Sequence, residues 1–195
     1  MADLPLTRFH LEKFNRMEQR LAGKIRFERA SAYMYYRRGS RSAEVVHGIK
    51  YKNRPELATY LGTLLSHQLL PTGFFQNIDC ILPIPLHYTK RQKRGYNQSE
   101  YFAKGIRQVT HLPILIDCLS AEREHGTQTK RSSTQRFENM QGVFTVRHPE
   151  MLEGKHCLIV DDVFTTGATL ISAATEINKI KDTRVSILTI SVTEW

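Results

Sequence analysis

Asp161 and Asp162 stand side by side after the apolar triplet Leu158-Ile159-Val160, and a small loop follows them, Phe164-Thr165-Thr166-Gly167-Ala168-Thr169. Each part has a chemical use. Two ionised carboxylates are acceptors only, which suits the vicinal hydroxyls of a sugar. The loop is short and its side chains are small, so its backbone N–H groups can close on an anion. Gly167 permits a tight turn, and a helix beginning near Ala168 or Thr169 aims its positive end at the same place. A ribose 5-phosphate fits both halves, with its phosphate on Thr165, Thr166, Gly167, Ala168 and Thr169 and its hydroxyls on the acids. The common nucleotide motifs G-x-x-x-x-G-K-[ST] and G-x-G-x-x-G do not occur.

The elements around this stretch must hold it at the edge of a sheet. Leu158, Ile159 and Val160 lack the alternation of a half-exposed strand and predict one buried on both faces, as in a parallel sheet. Ligands of open α/β sheets gather beyond the carboxyl ends of such strands. The C-terminal part reads as strand 156–161, helix about 168–180 and strand 184–192. Upstream, a weak helical pattern spans 4–23, a strand 30–36, helices 43–51 and 56–70, and a strand 80–86. A basic loop at 87–98 leads into a helix near 99–109, and short strands are expected at 113–117 and 142–146. The polar stretch 122–141 has no apolar period and suits a functional loop. Strands alternating with helices predict an α/β domain with a largely parallel sheet.

The stretch Leu158–Leu170 resembles the 5-phosphoribosyl 1-pyrophosphate (PRPP) loop of type I phosphoribosyltransferases, in which apolar residues precede two acids and T-T/S-G-x-T. Three further segments resemble the ComF family of predicted phosphoribosyltransferases. Pro83-Ile84-Pro85-Leu86-His87 matches P-[IV]-P-L-H, and Arg94-Gly95-Tyr96-Asn97-Gln98 matches R-G-[FY]-N-Q. Gln128-Thr129, then Arg136-Phe137-Glu138-Asn139 before Val143-Phe144, match its long loop. His47–Lys52 with Pro55-Glu56-Leu57 matches H-x-[LI]-K-Y-K…P-E-L. The resemblance runs from about residue 30 to 192, in the family's order.

That resemblance implies a type I phosphoribosyltransferase fold, a Rossmann-like open and mostly parallel sheet flanked by helices. Residues 1–60 would form an N-terminal hood and 61–195 the core. It implies transfer of the phosphoribosyl group to a nitrogen nucleophile with loss of pyrophosphate, through a transition state like an oxocarbenium ion. Asp161 and Asp162 would hold the ribose hydroxyls, and one or other would meet a magnesium ion indirectly. Thr165 to Thr169 would hold the 5-phosphate. Pro85, Leu86, His87 and Arg94 would face the pyrophosphate, and Lys130 and Arg136 would act from a loop closing over the donor. The family usually begins with a cysteine-rich zinc module of paired C-x-x-C type. No such cysteines occur here, so that module is either absent from the natural protein or outside this chain, and no zinc role is carried over.

Other residues leave two readings open. Lys90, Arg91 and Lys93 form either part of the pyrophosphate wall or a solvated basic turn. The Lys50-Tyr51-Lys52 triplet is either a surface face or a source of cations or a partial lid over the base site. The charges of 125–139 are either catalytic or incidental to a surface loop.

A chain of 195 residues can bury one substantial core. It has no apolar run long enough to span a membrane and no basic-then-apolar leader, so a cytoplasmic location is expected. Cys80, Cys118 and Cys157 lie far apart without metal-ligand spacing, which argues against a disulfide framework. The net charge of +9 suits a polyanionic donor such as PRPP and equally a nucleic acid. Two function classes therefore stand. One is an enzyme acting on PRPP and a nucleobase-like or amine acceptor. The other is a non-catalytic factor that binds PRPP or single-stranded DNA and works with competence-machinery proteins. A homodimer is left open, and nothing in residues 1–60 identifies the acceptor.

Overall fold

The unalternating run at Leu158–Val160 is completely shielded from solvent and lies inside a parallel sheet with both faces covered. The structure, a computed structural model, describes residues 4–121 and 143–194. Its main sheet contains β1 (Arg29–Tyr36), β2 (Cys80–Pro83), β5 (His156–Phe164) and β6 (Arg184–Thr193), in the order β1-β6-β5-β2. Every neighbouring pair is parallel. A separate antiparallel ribbon pairs β3 (Leu119–Ala121) with β4 (Phe144–Val146). The helices are α1 (Arg16–Leu21), α2 (Arg41–Tyr51), α3 (Glu56–Leu69), α4 (Tyr88–Arg94), α5 (Gln98–Thr110) and α6 (Ala168–Ile177).

Val46 and Ile49 of α2, Leu61 and Leu65 of α3, and Phe102 and Ile106 of α5 cover one face, against Leu158, Val160, Leu188 and Ile190. Leu170, Ile171 and Ile177 of α6, with Met17 and Leu21 of α1, share the other core with Ile159 and Ile187. The α3–α5 pair is unusually close. A Cβ on Gly105 would stand 2.0 Å from the Thr59 carbonyl oxygen, and one on Gly62 would stand 2.5 Å from that of Phe102. The helices thus meet backbone to backbone, and Thr59 Oγ1 donates to the Tyr101 carbonyl at 3.0 Å. This contact fixes where α5 begins.

Connections run in opposite directions from the β2/β5 boundary. From β5 the chain passes through α6 to β6, while from β2 it passes through α5 to Ile114, which bridges to Ile81 of β2. Such a reversal opens a crevice at the strands' carboxyl ends. The β2–β5 pairing stops at Pro83–Val160, so Asp161 is the first β5 residue beyond it at the carboxyl end.

Several local expectations shift. The basic segment after His87 is not a plain loop but contains α4, because His87 Nδ1 accepts from the Thr89 N–H at the start and Gly95 (φ 80°) ends the helix in the left-handed region. The strand expected at 113–117 shrinks to a single bridge, flanked by the Ile81 N–H to Pro113 carbonyl and Leu115 N–H to Ile81 carbonyl bonds. β5 continues to Phe164 instead of ending at the acids, since Val163 and Phe164 still pair with Ser191 and Val192. The strand expected at 30–36 does form, as β1 of the main sheet. Asn15 and Glu18 make a capping box that starts α1 within the weakly patterned N-terminal stretch.

Candidate active site at the end of the β2 and β5 strands

Asp161 and Asp162 sit where β5 passes the end of β2, Asp162 buried and Asp161 partly so. A buried carboxylate needs donors, and α5 supplies two from its first turn. Gln98 Nε2 donates to Asp162 Oδ2 at 2.7 Å, and Ser99 Oγ donates to Asp161 Oδ1 at 2.9 Å. The Asp162 backbone N–H also reaches Asp161 Oδ1, at 2.8 Å. Asn97 sets the register of this turn. Its Oδ1 accepts from the Ser99 N–H at 3.1 Å as a helix cap, and its Nδ2 donates to the Ile84 carbonyl at 3.0 Å, just beyond β2.

A cation completes the cluster. Lys50, in the last turn of α2, places Nζ 3.1 Å from Asp162 Oδ2. Burial pushes the Lys50 ammonium down, but Asp162 and Asp161 outweigh it and the net shift is upward. Burial first, and then the neighbouring Asp162 carboxylate, push Asp161 up to about 7 against weaker opposition from the Asp162 N–H, Lys50 and Ser99. Arg94 acts one step back. It donates to Gln98 Oε1, and its guanidinium lies 5.6 Å from the centre of the Tyr51 ring. Tyr96 Oη donates to the Ile49 carbonyl, which ties the same segment to α2.

The hydroxyl-rich loop follows on the same strand. Gly167 has φ 82° and starts α6 without a side-chain cap, and no acid stands in that helix's first turn. A Cβ at Gly167 would lie 2.7 Å from Phe164 Cζ, so both the turn and the space beneath it call for glycine. Thr166 Oγ1 accepts from the Ala168 N–H at 3.4 Å, and the Thr165 carbonyl accepts from Arg20 at 2.9 Å. An uncapped helix start with no competing carboxylate is suited to an anion.

Residues 75–191, more than half of the chain, match the phosphoribosyl transferase domain family. The chain belongs to that family. It is similar to DNA utilization protein YhgH of Escherichia coli strain K12, 31% identical over 67% of this chain and 58% of that protein. It is also similar to Competence protein ComFC of Bacillus subtilis strain 168, 32% identical over 48% of this chain and 36% of that one. Competence protein F of Haemophilus influenzae is 28% identical over 47% and 41% respectively. The chain thus spans less than two thirds of the length of these relatives. Among solved structures it resembles adenine phosphoribosyltransferase of Leishmania tarentolae, 13% identical over 93% of this chain and 89% of that one, with a TM-score of 0.45.

Within this phosphoribosyl transferase domain, the expected ComF-like kinship and the parallel sheet flanked by helices both hold. Asp161 and Asp162 are brought together with Arg94, the latter through Gln98. Pro85, Leu86 and His87 line the chain's exit from β2, all partly buried. Lys130 and Arg136 lie outside the described residues. Gln98, Ser99 and Lys50 were not singled out as partners of the acids. Gln98 closes the R-G-Y-N-Q motif and Lys50 lies inside H-G-I-K-Y-K, so both carried a signal of position but none of direction. Ser99 carried none. Among the described residues no helix is long and apolar enough to cross a membrane, and no group of three or more His, Cys, Asp or Glu side chains could hold a metal ion.

Proposed function

We propose that this domain binds PRPP at the β2/β5 crevice and transfers its 5-phosphoribosyl group to a nitrogenous acceptor, releasing pyrophosphate. The observation that carries this reading is the pairing of Asp161 and Asp162, each fixed by a donor from α5, with an uncapped helix start one loop further along the same strand. Asp161 and Asp162 take the ribose hydroxyls, and the Thr165–Thr169 backbone takes the 5-phosphate. The Pro85–His87 segment faces the pyrophosphate.

The bond from ribose C1 to the pyrophosphate oxygen breaks as the acceptor nitrogen bonds to C1, and the acceptor's proton passes to solvent or a nearby base. The protein's part is to orient the sugar and to present negative charge near the developing cation. Among the described residues the two carboxylates have no third metal ligand beside them, which suits a magnesium ion carried in by the donor and held through the ribose oxygens and waters. When bound, that ion would neutralise charge on the pyrophosphate. Lys130 and Arg136 are proposed to add cations to the pyrophosphate, and the hood role remains proposed for 1–60.

Calorimetry tests the site. Asp161→Asn and Asp162→Asn should each weaken PRPP binding at least tenfold, about 1.4 kcal/mol. Unchanged affinity would remove the assignment. Pyrophosphate release with a panel of nucleobases and amines tests the chemistry. A second reading, a factor that binds PRPP or single-stranded DNA without turnover, is favoured by the names of the DNA utilization and competence relatives and by exposed Tyr88 on the basic helix α4. PRPP binding with silence across the panel would select it, as would salt-steep oligonucleotide binding indifferent to PRPP.

A further inference from the structure

The oxygens of the acidic pair that face α5 and α2 are already fully engaged. Asp161 Oδ1 accepts from Ser99 Oγ and the Asp162 N–H, and Asp162 Oδ2 accepts from Gln98 Nε2 and Lys50 Nζ. A carboxylate oxygen offers about two lone-pair sites, so a sugar diol that is to use both oxygens of Asp162 must displace a resident donor. Three of the four donors cannot leave. The Asp162 N–H is backbone, Ser99 is buried on the first turn of α5, and Gln98 is buried and held at its other end by Arg94. Lys50 differs from them. Its side chain is 24% exposed, and a lysine carries its charge on a flexible four-carbon stem with rotatable donors.

Departure of Lys50 would strip the buried pair of its counter-ion unless the cation finds new work nearby. The incoming donor supplies that work, because its pyrophosphate sits one carbon away from the diol. Resting on the PRPP reading above, we propose that Lys50 is an exchangeable counter-ion, held on Asp162 in the free protein and handed to the donor's pyrophosphate when the ribose hydroxyls take its place. Lys50 thereby makes the site selective for a ribose 5-phosphate that bears a pyrophosphate at C1. Ribose 5-phosphate alone removes Lys50 from Asp162 and offers it nothing in return. The location on α2 also links donor binding to that helix, since adjacent Tyr51 stacks under Arg94, which orients Gln98.

The test compares two ligands, PRPP and ribose 5-phosphate, each with magnesium, by calorimetry on the wild-type chain and on Lys50→Met and Lys50→Gln. Melting curves of both variants guard against misfolding, and one folded variant suffices. Should neither fold, competition by added pyrophosphate decides on the wild-type chain. There, pyrophosphate should tighten ribose 5-phosphate binding several-fold, and indifference would overturn the proposal. The expected result for the variants is a PRPP affinity at least tenfold lower, with ribose 5-phosphate affinity unchanged or several-fold higher. Equal losses for both ligands would make Lys50 a mere support for the acids, and no change for either would leave it on Asp162 throughout. Both outcomes overturn the proposal while leaving the donor reading intact. A wild-type chain that binds neither ligand would remove the donor reading and the exchange with it.

Discussion

Replacing Gly105 with alanine would place a methyl carbon 2.0 Å from the Thr59 carbonyl oxygen and 2.9 Å from both the Thr59 carbonyl carbon and the Thr63 nitrogen. Carbon and carbonyl oxygen in contact stand about 3.3 Å apart, so α3 and α5 must separate by roughly 1 Å. No side chain can rotate to relieve this, because the obstructing atoms are backbone. Overpacking of this kind costs about 1–3 kcal/mol, and a rigid obstacle puts Gly105→Ala near 3. Alanine recovers about 1 kcal/mol of helix propensity over glycine, which leaves a net loss of about 2 kcal/mol. For a chain of this size that is a fall of about 4–8 °C in Tm. Thermal melts followed by far-UV circular dichroism would measure it. Gly48→Ala in α2 is the control, because its new methyl meets only the flexible Leu57 Cδ1, at 3.3 Å. That variant should melt as the wild type does or slightly higher. A Gly105→Ala chain that behaves like the control would refute a backbone contact between the helices, and with it the account of how α5 is aimed at the acids.

Two further predictions concern the site. Because Asp161 is raised to about 7 from the ordinary carboxyl range, its ionisation opposes folding. The penalty is absent below about pH 4, grows from there to about 7 and is constant above. The Tm of Asp161→Asn relative to wild type should therefore rise between those limits and level off. PRPP affinity of the wild type should strengthen as Asp161 loses its proton, and a flat profile from pH 6 to 8 would contradict the assignment. Gly167→Ala must hold a positive φ and crowd Phe164, so it should lose about 1–2 kcal/mol in chemical denaturation and weaken PRPP binding. Unchanged stability and affinity together would remove the loop from the phosphate site.

Legibility followed the range of the interactions. The loop at Thr165–Thr169 could be read directly because it is local: the turn, the glycine and the helix start lie within a few residues of one another. The burial of Leu158–Val160 was legible because a strand covered on both faces has no polar positions to alternate with. Helix α4 was missed because six polar or charged residues carry no apolar period, and its ends depend on a histidine cap and a left-handed glycine. The strand at 113–117 was overread, since apolar composition is common to strands and to edge segments that make one bridge.

What the sequence by itself determined is the class of domain and the strand, acid pair and loop of Leu158–Leu170, since both rest on contacts between near neighbours in the chain. It could also place Gln98 and Lys50 within recognisable motifs. Only the tertiary structure decided what those two residues do. Lys50 and Gln98 lie 112 and 64 positions before Asp162, yet all three meet at one carboxylate oxygen. That meeting requires α5 to start at the end of β2, which Asn97 and the backbone contact at Gly62 and Gly105 enforce. It also requires α2 to finish over the same crevice. Hydrogen bonds are directional over about 3 Å, whereas sequence pattern reports only which face of an element is buried. Two acids beside a small hydroxyl-rich loop are legible in the chain, and the packing of α2 and α5 against β5 decides which groups hold those acids.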